Sequence, residues 1–221
     1  MSQWWTYSLS DFLLFSPRTY YRLLELYNVA IWPGQILALV IGVGIASLLW
    51  TGRPRQARLA FALLAACWLW VACAYQLGRY ATINWAAVYF AAAFAVEALL
   101  LLLVGLTGRF SPASIKGPKA RIAFGLLALG LVIQPLIGLG IRRSWSQIEI
   151  FGVTPDATAT ATLGAVLLTS PSLRAALLPI PLAWCVVAGA TLWTMGSPDF
   201  ALLPAAGLLA IATAIIAGRR T

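Results

Sequence analysis

NWAAVYFAAAFAVEALLLLLVGL, residues 84–106, decides the fold. It holds one ionisable residue, Glu97, in 23 positions. A spanning helix needs roughly 20 apolar residues, so this stretch reads as a membrane helix. Working outward, further apolar runs occupy 31–50, 59–75, 122–141, 175–194 and 200–217. A shorter one, Ala157–Thr169, extends to 155–170 and gives 16 residues, about 24 Å of helix. Such a helix spans only with local thinning or help from neighbours.

Composition agrees. Of 221 residues, 62% are hydrophobic and 10% charged, and mean hydropathy is +0.89. A soluble domain has about a quarter of its residues charged. This chain lacks the polar surface to cover its apolar one, which excludes a water-soluble enzyme, a nucleic-acid-binding domain and a secreted disulfide scaffold. The formal charge of +9 comes from 13 Arg and 2 Lys against 6 acids. In a membrane protein such an excess reports cytoplasmic loops, not a nucleic-acid partner. No histidine is present. The cysteines Cys67, Cys73 and Cys185 lie in apolar runs without metal-ligand spacing, so no metal and no cofactor is expected. The first 17 residues carry no basic residue and are interrupted by Trp4, Trp5, Asp11 and Pro17, so no cleavable signal peptide is expected.

Charge placement predicts seven spans with the N-terminus outside and the C-terminus cytoplasmic. The inner loops then hold Arg53, Arg55, Arg58, Arg109, Lys116, Lys119, Arg121, Arg174, Arg219 and Arg220 and no acid. The outer segments balance Arg18, Arg22, Arg79, Arg142 and Arg143 against Asp11, Glu25, Glu149, Asp156 and Asp199. If 155–170 did not cross, Arg174, Arg219 and Arg220 would face outside, against the positive-inside rule. Ser/Thr-Pro pairs predict helix starts at Pro17, Pro112, Pro155, Pro171 and Pro198. Pro179 and Pro181 predict a kink in the sixth span. The expected architecture is all-α: a polytopic helix bundle over 31–221, preceded by an aromatic-rich segment, 1–30. Within that segment, Pro17–Asn28 reads as an amphipathic interfacial helix. It sets Leu23, Leu24 and Tyr27 against Arg18, Arg22 and Glu25.

Three stretches, YSLSDFLLFSPRTYYRLLELYN at 7–28, RYATINWAAVYFAAAFAVEALLL at 79–101 and EIFGVTPDATATATLGAVLL at 149–168, with LLPIPLAW at 177–184, resemble a family of bacterial integral membrane proteins. That family is classed only as domain of unknown function 6064. The resemblance implies a multi-pass protein of the bacterial inner membrane. It implies no activity and no residue roles.

Candidate residues therefore come from chemistry alone. Glu97 lies 13 residues beyond Asn84 in the third span, with no basic residue in any span to pair with it. Intramembrane acids are costly and often functional. It reads either as a proton or cation relay or, more commonly, as a neutral acid hydrogen-bonded to Gln134 on the fourth span. Asp156, Thr158 and Thr162 open the short fifth helix, which reads as flanking a solute path or as helix packing by small residues. Arg79, Tyr80, Asn84 and Arg142 form a candidate outer polar rim, joined by Arg143, with Asp156 and Asp199 as counter-charges. No nucleophile–base set or phosphate loop is visible.

The leading expectation is a small-solute or ion permease, proton-coupled at Glu97. The alternative is an accessory subunit that packs against a membrane partner or a second copy through faces such as Gly42 with Ala46. The third is a lipid-modifying membrane enzyme.

Overall fold

The computed structural model describes residues 14–107 and 117–218. Among the described residues there are ten α-helices and no strand. They are α1 (Pro17–Ala30), α2 (Gly34–Trp50), α3 (Pro54–Trp70), α4 (Ala87–Thr107), α5 (Pro118–Ala128), α6 (Gln134–Gly140), α7 (Pro155–Leu167), α8 (Pro171–Leu177), α9 (Pro179–Thr194) and α10 (Leu202–Gly218). Prolines begin α1, α3, α5, α7, α8 and α9, where a missing N–H costs nothing. Ser16 caps α1 by accepting from the Thr19 amide at 3.2 Å. Ser197-Pro198 begins no helix, because Ser197 turns its hydroxyl to Asp199 at 2.6 Å and α10 starts at Leu202. Ser111-Pro112, Arg109, Lys116, Arg219, Arg220 and the aromatics Trp4, Trp5 and Tyr7 lie outside the described residues.

Among the described residues, three helices are long and apolar enough to cross a membrane: Pro54–Thr82, Ala87–Leu106 and Pro118–Gly140. Two bent pairs raise the number to five if each is one span: α1 with α2, at 88°, and α8 with α9, at 43°. The second break falls at Leu178, where Pro179 and Pro181 withdraw two amide donors from the helix. In Pro118–Gly140, one widened π turn, Leu129–Ile133, precedes Pro135 and absorbs its missing donor. A second π turn, Val71–Leu77, ends the helix begun by α3.

Length and composition thus support fewer crossings than the seven expected. The difference lies in α10, whose apolar stretch Leu202–Ile216 is too short to count as a span, and above all in α7. Its 13 residues are all buried, and at about 20 Å it is shorter than a bilayer core. It is the axis of the bundle, not a lipid-facing span. Its sequence, PDATATATLGAVL, is small nearly throughout, so neighbours approach on every side. A Cβ on Gly130 would collide with the Ala157 carbonyl and one on Gly164 with the Ala123 carbonyl, so α5 and its π turn lie backbone-to-backbone against α7. Gly42 is likewise buried against Leu131 and Phe151 of this chain, so it packs inward.

Helix α1 is amphipathic as its sequence predicts, with Leu23, Leu24 and Tyr27 buried and Arg18 and Arg22 exposed. The buried face rests on protein. Asn28 Nδ2 donates to the Ser146 and Ile148 carbonyls at 2.9 and 3.0 Å, and the Tyr27 hydroxyl donates to the Val153 carbonyl at 3.1 Å. These bonds fasten α1 across the loop that leads into α7.

Candidate functional site

That loop, Ile148–Thr154, is wholly buried. Thr154 Oγ1 holds it closed by accepting from the Ile150 amide at 2.9 Å, and the Gly152 amide donates to Thr158 Oγ1 at 2.8 Å. Gly152 has φ +72°, a conformation that favours glycine, and its α-carbon faces Cys67 and Ala38. The folded loop carries Glu149 inward to meet Asp156 in the first turn of α7.

The two carboxyls lie close enough to influence each other's charge, and both residues are buried, at 5% and 2% exposure. Two like charges in a buried site disfavour ionising together, so the pair favours holding at least one proton. Neighbours donate to three of the four carboxyl oxygens. The Tyr20 hydroxyl on α1 donates to Glu149 Oε1 at 3.1 Å, and Gln134 Nε2 on α6 donates to Glu149 Oε2 at 3.1 Å. Trp184 Nε1 on α9 donates to Asp156 Oδ1 at 2.8 Å. Burial pushes the Glu149 carboxyl well above the usual range; the charge of Asp156 adds to this and the Arg143 guanidinium opposes it.

Beside Asp156 lies a cavity of about 10 Å³ lined by Tyr20, Tyr75, Tyr80, Trp184 and Thr191, about enough for one water molecule. The tyrosines form an aromatic wall: Tyr75 and Tyr80 stack at 5.9 Å, and Tyr20 meets Tyr80 edge-on at 6.3 Å. Toward the surface, Arg143 Nη2 donates to Asp199 Oδ1 at 2.8 Å, to Ser197 Oγ at 2.7 Å and to the Tyr21 hydroxyl at 2.9 Å. Asp199 is thus the counter-charge of Arg143, as the sequence suggests. Asp156 is not part of that rim; it belongs to the interior pair.

The other candidates fall in three places. Glu97 is fully buried, and neither carboxyl oxygen has a hydrogen-bond partner among the described residues. Its expected partner Gln134 serves Glu149 instead. One turn away, Phe94 packs edge-on to Trp68 at 4.6 Å and to Trp184 at 5.0 Å, an aromatic layer between Glu97's helix and Asp156. Thr158 and Thr162 are buried, with hydroxyls donated to carbonyls one turn back at 2.6 and 2.7 Å. Thr162 also accepts from Trp68 Nε1 at 2.8 Å. Thr162 thus ties α7 to α3, and Thr158 ties α7 to the loop before it. Of the rim residues, Arg79 and Arg142 are exposed, Tyr80 is buried in the aromatic wall, and Asn84 accepts from the Ala86 amide at 3.0 Å.

Sequence reasoning treated Glu149 as a loop charge and passed over Tyr75. The available signal was the company Glu149 keeps: Ile148, Ile150 and Phe151 flank it, and no solvated loop needs three large apolar residues in that run. No group of acids or cysteines that could hold a metal ion occurs among the described residues. No curated protein and no solved structure matches the chain. A family model does match, over residues 18–221: the chain belongs to the family of unknown function DUF6064.

Proposed function

We propose that the protein is a membrane-embedded, proton-linked permease for a small solute or ion, and that its proton site is the Glu149–Asp156 pair, not Glu97. The observation that carries this is the buried Glu149–Asp156 carboxyl pair beneath α1, with Tyr20 of α1 bonded to it. With one proton the pair is a cohesive unit. Without it, two like charges face each other in a dry interior and repel. Proton loss drives Glu149 away from Asp156, and Tyr20, which donates more strongly to the ionised carboxylate, carries α1 with it and opens the small cavity beside Asp156.

The seven-crossing, N-out topology belongs to this reading. Helix α7 leads from the Glu149, Arg143 and Asp199 end of the bundle to the end where Lys119 lies near Arg174 and Arg174 Nη1 reaches the Ala214 carbonyl at 3.5 Å. A basic end opposite an acid-balanced end supports the orientation. The 88° turn between α1 and α2 supports α1 lying along the membrane surface if α2 crosses it. The resemblance to bacterial inner-membrane proteins supports that location.

The test is electrophysiology on supported proteoliposomes, with a panel of amino acids, sugars, carboxylates and monovalent cations, with and without a pH gradient. A current that depends on both solute and gradient, and is lost in Glu149→Gln, is the expected result. No current for any class contradicts the reading. A second reading, an accessory subunit, is favoured by the complete enclosure of α7. A stoichiometric partner retained through purification, together with silent proteoliposomes, supports it.

A further inference from the structure

A basic surface groove is separate from the carboxyl pair. A groove of about 420 Å³ runs between α1 and the turn that ends the α3 helix. Arg18 and Arg22 line it from α1, and Arg79 lines it from the turn, with Thr19 and Thr82 beside them. No acid lines it among the described residues. Glu25 pairs with Arg22 at 2.8 Å and so offsets one of the three positive charges. The floor is apolar, formed by Leu23, Leu26 and Ile83.

From this placement we infer that the groove binds the phosphate headgroup of an anionic phospholipid. Three features select a lipid over a soluble anion. The guanidiniums sit at the end of a membrane-length helix, Pro54–Thr82, which is headgroup depth. Guanidinium forks match phosphate oxygens in bidentate geometry, and threonine hydroxyls supply further donors. Finally, Leu26, half exposed, continues the apolar floor outward, where an acyl chain leaves the headgroup. The volume lies within the range of about 300–1,000 Å³ usual for small-ligand sites. A bound lipid would bridge α1 to the α3 helix on the face opposite the Asn28 and Tyr27 contacts.

Native mass spectrometry of the full chain tests this, with phosphatidylglycerol, phosphatidylcholine or inorganic phosphate added to neutral detergent. Wild type is expected to retain phosphatidylglycerol about tenfold better than phosphatidylcholine. Arg18→Gln with Arg79→Gln is expected to weaken that retention by about fivefold for each guanidinium removed. The control Arg53→Gln with Arg55→Gln, on a different turn, leaves it unchanged. Should the double variant aggregate, Arg79→Gln alone is expected to show the single fivefold loss. Equal retention of both lipids overturns the inference, as does an equal loss in the control. Displacement of phosphatidylglycerol by inorganic phosphate at equal concentration assigns the groove to a free anion and also overturns it.

Discussion

Tyr20 and Glu149 are 129 residues apart in sequence and 3.1 Å apart in the fold, hydroxyl to carboxyl. That bond fastens the amphipathic helix to the interior acid. Replacing Tyr20 by Phe keeps the ring stack with Phe15 and removes the donor. The expected cost is about 1–2 kcal/mol, because a buried acid oxygen is left unsatisfied. Hydrogen exchange is the readout: amides of α1 are expected to exchange faster in Tyr20→Phe, while those of α4 are unchanged. Uniform exchange across both helices would mean that the bond does not hold α1.

The pair gives stability a definite pH dependence. Glu149 binds its proton more tightly folded than unfolded, since its folded value is raised by burial and by Asp156. Its contribution is therefore complete below the unfolded value of about 4.3 and is lost as pH rises through the folded one. The thermal midpoint of wild type in detergent is expected to fall as pH rises above about 4.3. Glu149→Gln carries a permanent donor and no proton to lose, so its curve is expected to be flatter. Parallel curves for the two proteins would remove Glu149 from the account.

Glu97 yields the opposite kind of expectation. A buried polar group without a partner is a cost to the fold, about 1–3 kcal/mol. Glu97→Leu is expected to raise the thermal midpoint and leave any proton-linked current intact. A midpoint lowered by the change, or a lost current, would show that Glu97 has a partner or a role that its carboxyl alone provides.

Close backbone approach around α7 is tested at two glycines and a control. Ala at position 164 or 130 places a methyl against a carbonyl of the facing backbone, and such overpacking costs about 1–3 kcal/mol. Gly44 has open space where its Cβ would stand, so Gly44→Ala is expected to be neutral or slightly stabilising. Thermal melts of the three variants in one detergent decide it. Equal midpoints would show that α5 can move off α7 without penalty.

Much of the fold is legible in local chemistry. Prolines and their preceding hydroxyl residues mark where α1, α7 and α8 begin, and Pro179 marks the break between α8 and α9, because these effects act within one helical turn. The apolar face of α1 follows from 3.6-residue periodicity, and α4 from its unbroken apolar run. What escapes is non-local. Whether PDATATATLGAVL faces lipid or sits at the centre depends on Gly130 and Gly164 clearing room for it, and no window along the sequence contains both sides of that contact. Charge counting places acids in loops with the solvent, so it assigned Glu149 to the outer balance. The loop folds inward because Ile148, Ile150 and Phe151 bury beside it, and the acid meets Asp156, Tyr20 and Gln134 there. The single intramembrane acid drew attention to Glu97, whereas the paired acids lie at the entrance to the short helix.

The shared proton is the central claim, and infrared difference spectroscopy of the full chain in lipid tests it most directly. Measured in the Glu97→Leu background, so that the acid of α4 is absent, the protein is expected to show a protonated-carboxyl band at neutral pH. The band should vanish in Glu149→Gln and shift in Tyr20→Phe. No protonated carboxyl at neutral pH, or a band indifferent to both Glu149→Gln and Asp156→Asn, would contradict the account.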